Sequence, residues 1–115
     1  MSVKLTTRQV GDVTIVDAKG RVTLGEGSAA YRKIIHELVA KGHRKILINM
    51  GDITYIDSSG IGEMVSAFTK ITNCGGMVKY YHIGLRVEDL LRITKLYTVF
   101  EVFEDEAAAV RSFDR

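Results

Sequence analysis

The stretch Lys45-Ile46-Leu47-Ile48-Asn49-Met50, followed at once by Gly51-Asp52-Ile53-Thr54-Tyr55-Ile56-Asp57-Ser58-Ser59-Gly60-Ile61-Gly62, decides the fold. Residues 45–50 lack polar alternation at their centre, the pattern of a strand buried on both faces. Gly51-Asp52 reads as the opening of a short connection to Tyr55-Ile56. Beyond Gly60 the apolar period becomes helical: Ile61, Met64, Val65, Phe68 and Ile71 make one stripe, closed by Asn73-Cys74-Gly75-Gly76. A strand buried on both sides that feeds an amphipathic helix is half of a strand–helix–strand crossover, and crossovers make parallel sheets.

The flanks complete that pattern. Toward the N-terminus, Val3, Leu5 and Thr7 share one face of a strand and Val13, Ile15 and Asp17 one face of the next, with Gly11-Asp12 as the hairpin turn. Residues 20–27, with three glycines, read as a loop. Ser28 is the expected N-cap of a helix whose stripe is Tyr31, Ile34, Ile35, Leu38 and Val39, ended by Gly42. Toward the C-terminus, residues 77–83 form a strand and Val87, Leu90, Leu91 and Leu96 belong to a third helix. A short strand around residues 99–103 follows. Residues 104–113 form a last helix with three acidic groups in its first turn. The order β-β-α-β-α-β-α-β-α predicts an α/β fold: one small domain over residues 1–115, with a mixed, mostly parallel sheet, an N-terminal hairpin and about four helices packed mainly on one side.

Length and composition fit one compact globular unit. The 115 residues are 46% hydrophobic and 26% charged, and 16 Lys+Arg against 14 Asp+Glu leaves +2. That charge is too small to call for direct nucleic-acid binding or a membrane-surface partner. No apolar run exceeds the four residues 107–110, against the roughly 20 that span a bilayer, so membrane insertion is not expected. Residues 1–4 lead into no apolar stretch of the secretory kind. The single cysteine, Cys74, reads as a small buried hydrophobe and fits a reducing, cytoplasmic setting. Oligomeric state is open, since exposed strand edges permit a dimer without demanding one.

Most chemical motifs fail on their own terms. Gly25-Glu26-Gly27-Ser28-Ala29-Ala30 has the G-x-G-x-x-A spacing of a dinucleotide loop. Its first glycine, however, lies well past the preceding strand, and the chain is too short for two mononucleotide halves. Glu26 occupies the place where a phosphate loop needs Lys. His36, His43, His82 and Cys74 fit no metal-ligand spacing, so no metal or other cofactor is expected. A serine-hydrolase elbow would need Gly two residues before the nucleophile, and Ile56 and Asp57 stand there instead.

The junction 55–62 carries the signal. A helix N-terminus offers unpaired N–H groups and a positive dipole end, and Asp57 or Ser58 can cap it. Gly60 and Gly62 are expected to leave the backbone open to another molecule. In this setting Asp57-Ser58-Ser59-Gly60-Ile61-Gly62, after the buried Ile-Leu-Ile-Asn strand, resembles the STAS domain and specifically the stand-alone bacterial anti-sigma factor antagonists. Gly75-Gly76 and the closing Leu90-Leu91-Arg92-Ile93-Thr94-Lys95-Leu96, with residues 100–103 after it, extend the resemblance over essentially the whole chain.

The resemblance implies a binding protein, not an enzyme. It implies that Ser58 is phosphorylated by a partner anti-sigma factor with serine kinase activity, that the unphosphorylated form binds this partner and frees a sigma factor, and that a metal-dependent serine phosphatase resets the switch. Asp57, Ser58, Ser59, Gly60, Ile61 and Gly62 are then the expected partner-binding residues. The runner-up role is a STAS scaffold subunit of a signalling or lipid-transport assembly. The chain departs from the family after Gly20: Arg21-Val22-Thr23-Leu24 stands where many members carry an acidic residue in a Gly-x-Leu-Asp-like stretch.

Overall fold

The computed structural model describes residues 3–114. Strand β1 (Val3–Val10) and strand β2 (Val13–Val22) form an antiparallel hairpin with Val10 paired to Val13. Gly11 supplies the positive φ of 61° that this tight reversal requires. There follow helix α1 (Glu26–Ala40), strand β3 (Lys45–Ile56), helix α2 (Ser58–Asn73), strand β4 (Met77–Tyr81), helix α3 (Leu85–Ile93), a 3-10 turn at Leu96–Thr98, strand β5 (Val102–Phe103), helix α4 (Glu106–Arg111) and a last 3-10 turn at Ser112–Asp114. The sheet order is β1-β2-β3-β4-β5, and every pair after the first is parallel. This is the mixed α/β architecture expected from the alternation of patterns.

Strand β3 sits in the middle, and its alternation sorts the core. Ile46, Ile48 and Met50 face the larger cluster beneath α1, α2 and α3, where Tyr31, Ile35, Met64, Ile71 and Leu91 are buried. Leu47 faces the other way and joins Val13, Ile15, Tyr81, Ala109 and Phe113 under α4. Three helices thus cover one face of the sheet, while the short α4 covers part of the second.

Five local expectations need correction. Residues 20–22 are not loop: β2 runs on to Val22, pairing Gly20 with Ile53, Arg21 with Tyr55 and Val22 with Ile56 across register shifts. Gly20, with φ 114°, marks an irregularity inside a strand and not its end. The same pairing carries β3 through Gly51-Asp52 without a break. Ser28 does not cap α1; Gly25 holds the N-cap position without a side-chain bond, and Ser28 is buried two residues into the helix. Cys74 is exposed, and Val65 lies outside the α2 stripe, where Ala67 takes a buried place.

Two further ties hold the second face. Arg8 on β1 binds Asp17 at 2.7 Å and Glu106 of α4 at 2.7 Å. The Tyr81 hydroxyl donates to Glu106 at 2.8 Å. Burial, followed by that hydrogen bond, pushes the Tyr81 phenol up to about 12, so it remains a donor. The side chain of Lys79 is 1% exposed; its ammonium donates to the Ser112 carbonyl and hydroxyl at 3.0 Å each and lies 3.2 Å from Glu101.

Candidate functional site

Strands β2 and β3 end together, Val22 beside Ile56, while β4 stops at Tyr81 opposite Asn49 and the start of α3 reaches the same rim through Arg86, which stacks on Tyr55. Asp57 is the knot of this rim. Its backbone is extended, and its N–H reaches the Val22 carbonyl at 3.4 Å. One carboxylate oxygen accepts the Gly60 N–H at 3.0 Å, capping α2; the other accepts the Leu24 N–H at 3.1 Å. One side chain therefore fixes both the helix start and the neighbouring β2–α1 loop. Partial burial pushes the Asp57 carboxyl up, but the N–H groups of Gly60, Leu24 and Ser59 together outweigh it and hold the pKa below the ordinary value. Asp57 is the cap, as one of the two expected residues.

Ser58 is the first residue of α2 and is exposed; Ser59 is half-buried. The 16-residue helix behind Ser58 places a positive dipole end and unpaired N–H groups at its start. The remaining expected contacts divide. Gly62 is exposed, and a Cβ built on it would meet nothing within 4 Å. Gly60 is buried, and a Cβ there would come within 2.3 Å of the Val22 carbonyl oxygen and 2.5 Å of Ile56 Cγ1. The expectation that Gly60 opens the backbone to a partner is corrected: it lets α2 touch the end of β2. Ile61, 6% exposed, is a core residue.

Gly27 repeats that device in α1, where a Cβ would lie 2.4 Å from the Arg21 carbonyl oxygen. The second glycine of the dinucleotide-like spacing is thus turned inward against β2, and no phosphate can approach it. Glu63 binds Arg32 at 2.7 Å and links α2 to α1. His43 meets the Thr14 hydroxyl at 2.8 Å, while His36 and His82 are exposed and apart from it. Among the described residues no three of His, Cys, Asp and Glu gather as metal ligands, and no helix is long and apolar enough to cross a membrane.

Sequence reading missed part of the rim. Leu24, whose N–H anchors Asp57, is 80% exposed, and Leu85 at the start of α3 is 79% exposed. Arg21 and Arg86 both stack on Tyr55, their guanidinium carbons 5.2 and 4.7 Å from the ring centroid. Reading 20–27 as an undifferentiated loop hid Arg21, because only the β2–β3 register shows it beside Tyr55.

A family model described as the STAS domain matches residues 4–109. The chain belongs to the STAS domain family. A protein of Thermotoga neapolitana, named as a candidate anti-sigma factor antagonist, is 26% identical to it over 101 residues, spanning 88% of this chain and 89% of that one. The crystal structure of a candidate anti-sigma factor antagonist from Thermotoga maritima shares the STAS fold with a TM-score of 0.89 at 24% identity, over 96% of this chain and 95% of that one. The Bacillus cell fate determinant SpoIIAA in its phosphorylated form shares it with a TM-score of 0.73 at 15% identity, over 95% and 99%.

Proposed function

We propose that this STAS domain, acting as one unit over residues 1–115, is a cytoplasmic anti-sigma factor antagonist. It binds an anti-sigma factor with serine kinase activity while Ser58 is unmodified, thereby releasing a sigma factor. Phosphorylation of Ser58 ends the binding, and a metal-dependent serine phosphatase restores it. The chain is a regulatory binding protein, and the kinase chemistry belongs to the partner. The observation that carries this reading is the exposed Ser58 at the first position of α2, beside an Asp57 whose two oxygens pin both neighbouring segments. The family resemblance and the names borne by its relatives point the same way.

Charge arithmetic says what a phosphate would do there. It adds about −1.5 to −2 charges. Attraction to the helix N-terminus contributes roughly 0.3–2 kcal/mol. Repulsion from Asp57 at about 5 Å costs near 1 kcal/mol per charge pair in water and a few at an effective dielectric of 20. These effects oppose each other at similar size, so the fold survives phosphorylation. An uncompensated charge inside an interface costs roughly 3–5 kcal/mol, which weakens binding on the order of a hundredfold or more. The switch is blockade of an interface without unfolding.

The test is intact-mass and phosphosite mapping of the protein purified from its own cells, beside a Ser58→Ala form. One phosphate on Ser58, absent from the alanine form, is the expected result. An unmodified Ser58 under every growth condition, or phosphate elsewhere, would overturn it in favour of a scaffold role.

A further inference from the structure

The part of the second sheet face that α4 leaves open carries cations that pair with no carboxylate among the described residues. Lys4 and Lys19 stand directly opposite each other in the antiparallel ladder, a like-charge pairing that weakens a sheet. Together with Arg21 they line a groove of about 760 Å³, in which Asp52 is the acidic residue. Arg21 leads on to the Tyr55 ring and so to Arg86. Among the described residues none of these four cations makes an ion pair, whereas Arg8, Arg32, Lys45, Lys79 and Arg92 all do. The cationic surface ends at the rim, where Leu24 is bonded to Asp57 and Leu85 adjoins Arg86.

We propose that this surface docks an acidic face of the protein partner whose binding Ser58 controls, with carboxylates meeting Lys19, Arg21 and Arg86 and apolar groups covering Leu24 and Leu85. The inference rests on the Ser58 reading above and adds the partner's chemistry to it. Two observations favour a protein over a nucleic acid. The leucines give a polyphosphate nothing to bind, and Tyr55, the aromatic ring of this surface, is already stacked by two guanidinium groups and is not free to stack a base. Position also explains sensitivity to phosphorylation: Ser58 follows the end of β3 that carries Tyr55, so a phosphate there adds negative charge at the edge of this surface and repels the partner's carboxylates.

The experiment is an NMR titration of the full ¹⁵N-labelled chain with a short peptide of alternating Glu and Leu, at low and high salt. A poly-dT oligonucleotide and phosphatidylserine vesicles run in parallel. The peptide is expected to move the amides of Lys19, Arg21, Tyr55 and Arg86 and to bind less tightly at high salt. The double variant Arg21→Glu/Arg86→Glu should bind it about tenfold more weakly while keeping the amide spectrum of a folded chain. Shifts confined to another surface, or unchanged affinity of the double variant, would overturn the proposal. Tighter binding of the oligonucleotide or the vesicles would overturn it in favour of a nucleic acid or a membrane. A chain carrying phosphoserine at 58 separates the two claims. If phosphate weakens the peptide and the double variant does not, the Ser58 reading stands and the docking surface falls. If the double variant weakens it and phosphate does not, the surface stands and its link to Ser58 falls.

Discussion

The two faces of the sheet are built by different physics. Beneath α1, α2 and α3 the contact is apolar and continuous, and the helices approach until glycines are needed at Gly27 and Gly60. On the second face the apolar cluster is small, and α4 is tied down by Arg8, Glu106, Tyr81 and Lys79. Burial of apolar surface scales with area and ignores pH, whereas ties between ions depend on protonation and on each partner being present. Close packing therefore fixes the Ser58 rim from one side, while the face beyond α4 is left open and charged. That division suits the proposed switch, in which a rigid junction would present Ser58 for modification.

Breaking the apolar face should have the largest effect. Gly60→Ala forces a Cβ against the Val22 carbonyl and Ile56, and a loss of about 2–4 kcal/mol is expected in urea denaturation. Gly62→Ala, two residues on with open space around it, should be neutral or up to about 1 kcal/mol stabilising, since alanine favours a helix over glycine. Equal effects at the two glycines would refute the packing role of Gly60.

The ionic face should respond in smaller steps. Lys79→Ala removes a buried chain together with its bonds to Ser112 and its ion pair with Glu101, and should cost about 2–3 kcal/mol. Lys79→Met keeps the volume and should cost less than about 1.5 kcal/mol. A methionine as damaging as the alanine would show that charge outweighs volume there. Asp57→Ala should cost about 1–2 kcal/mol by loss of the cap. Asp57→Asn keeps one acceptor, so it should retain most stability while slowing phosphorylation of Ser58, read as the initial rate with the partner kinase. Unchanged phosphorylation would confine Asp57 to a structural role.

Acid should separate the two faces most selectively. Hydrogen bonds from Arg8 hold both the Asp17 and Glu106 carboxyls below their ordinary values of 3.8 and 4.5. A carboxyl whose folded pKa is depressed contributes stability above its unfolded value and loses it as pH falls through the folded one. The denaturation midpoint should thus be flat from neutral pH to about pH 5 and fall below about pH 4. Arg8→Met should make that acid limb shallower. An acid limb of the same slope in Arg8→Met would mean that other carboxylates govern it.

Local periodicity made much of this legible. The hairpin around Gly11-Asp12, the stripe from Tyr31 to Leu38 and the burial of Ile46, Leu47 and Ile48 follow from residue spacing alone, and the Asp57 cap from residue type and position. What escaped depends on partners far along the chain. Gly20 and Gly51 resemble strand breakers until the pairing of β2 with β3 shows them inside strands. Gly60 resembles a door for a partner until the approach of Val22 shows that it is a contact. Ser58 was singled out by the family resemblance, and its place at a helix start accounts for its exposure. Arg21, Tyr55 and Arg86 were not, since three separate elements bring them together.

The central claim is that a phosphate on Ser58 blocks an interface without disturbing the fold. It is tested most directly by comparing the chain carrying phosphoserine at 58 with the unmodified chain, in affinity for the anti-sigma factor and in denaturation midpoint. Binding weakened about a hundredfold, with the midpoint essentially unchanged, is the expected result. Equal affinity of the two forms, or a phosphorylated chain that unfolds, would contradict it.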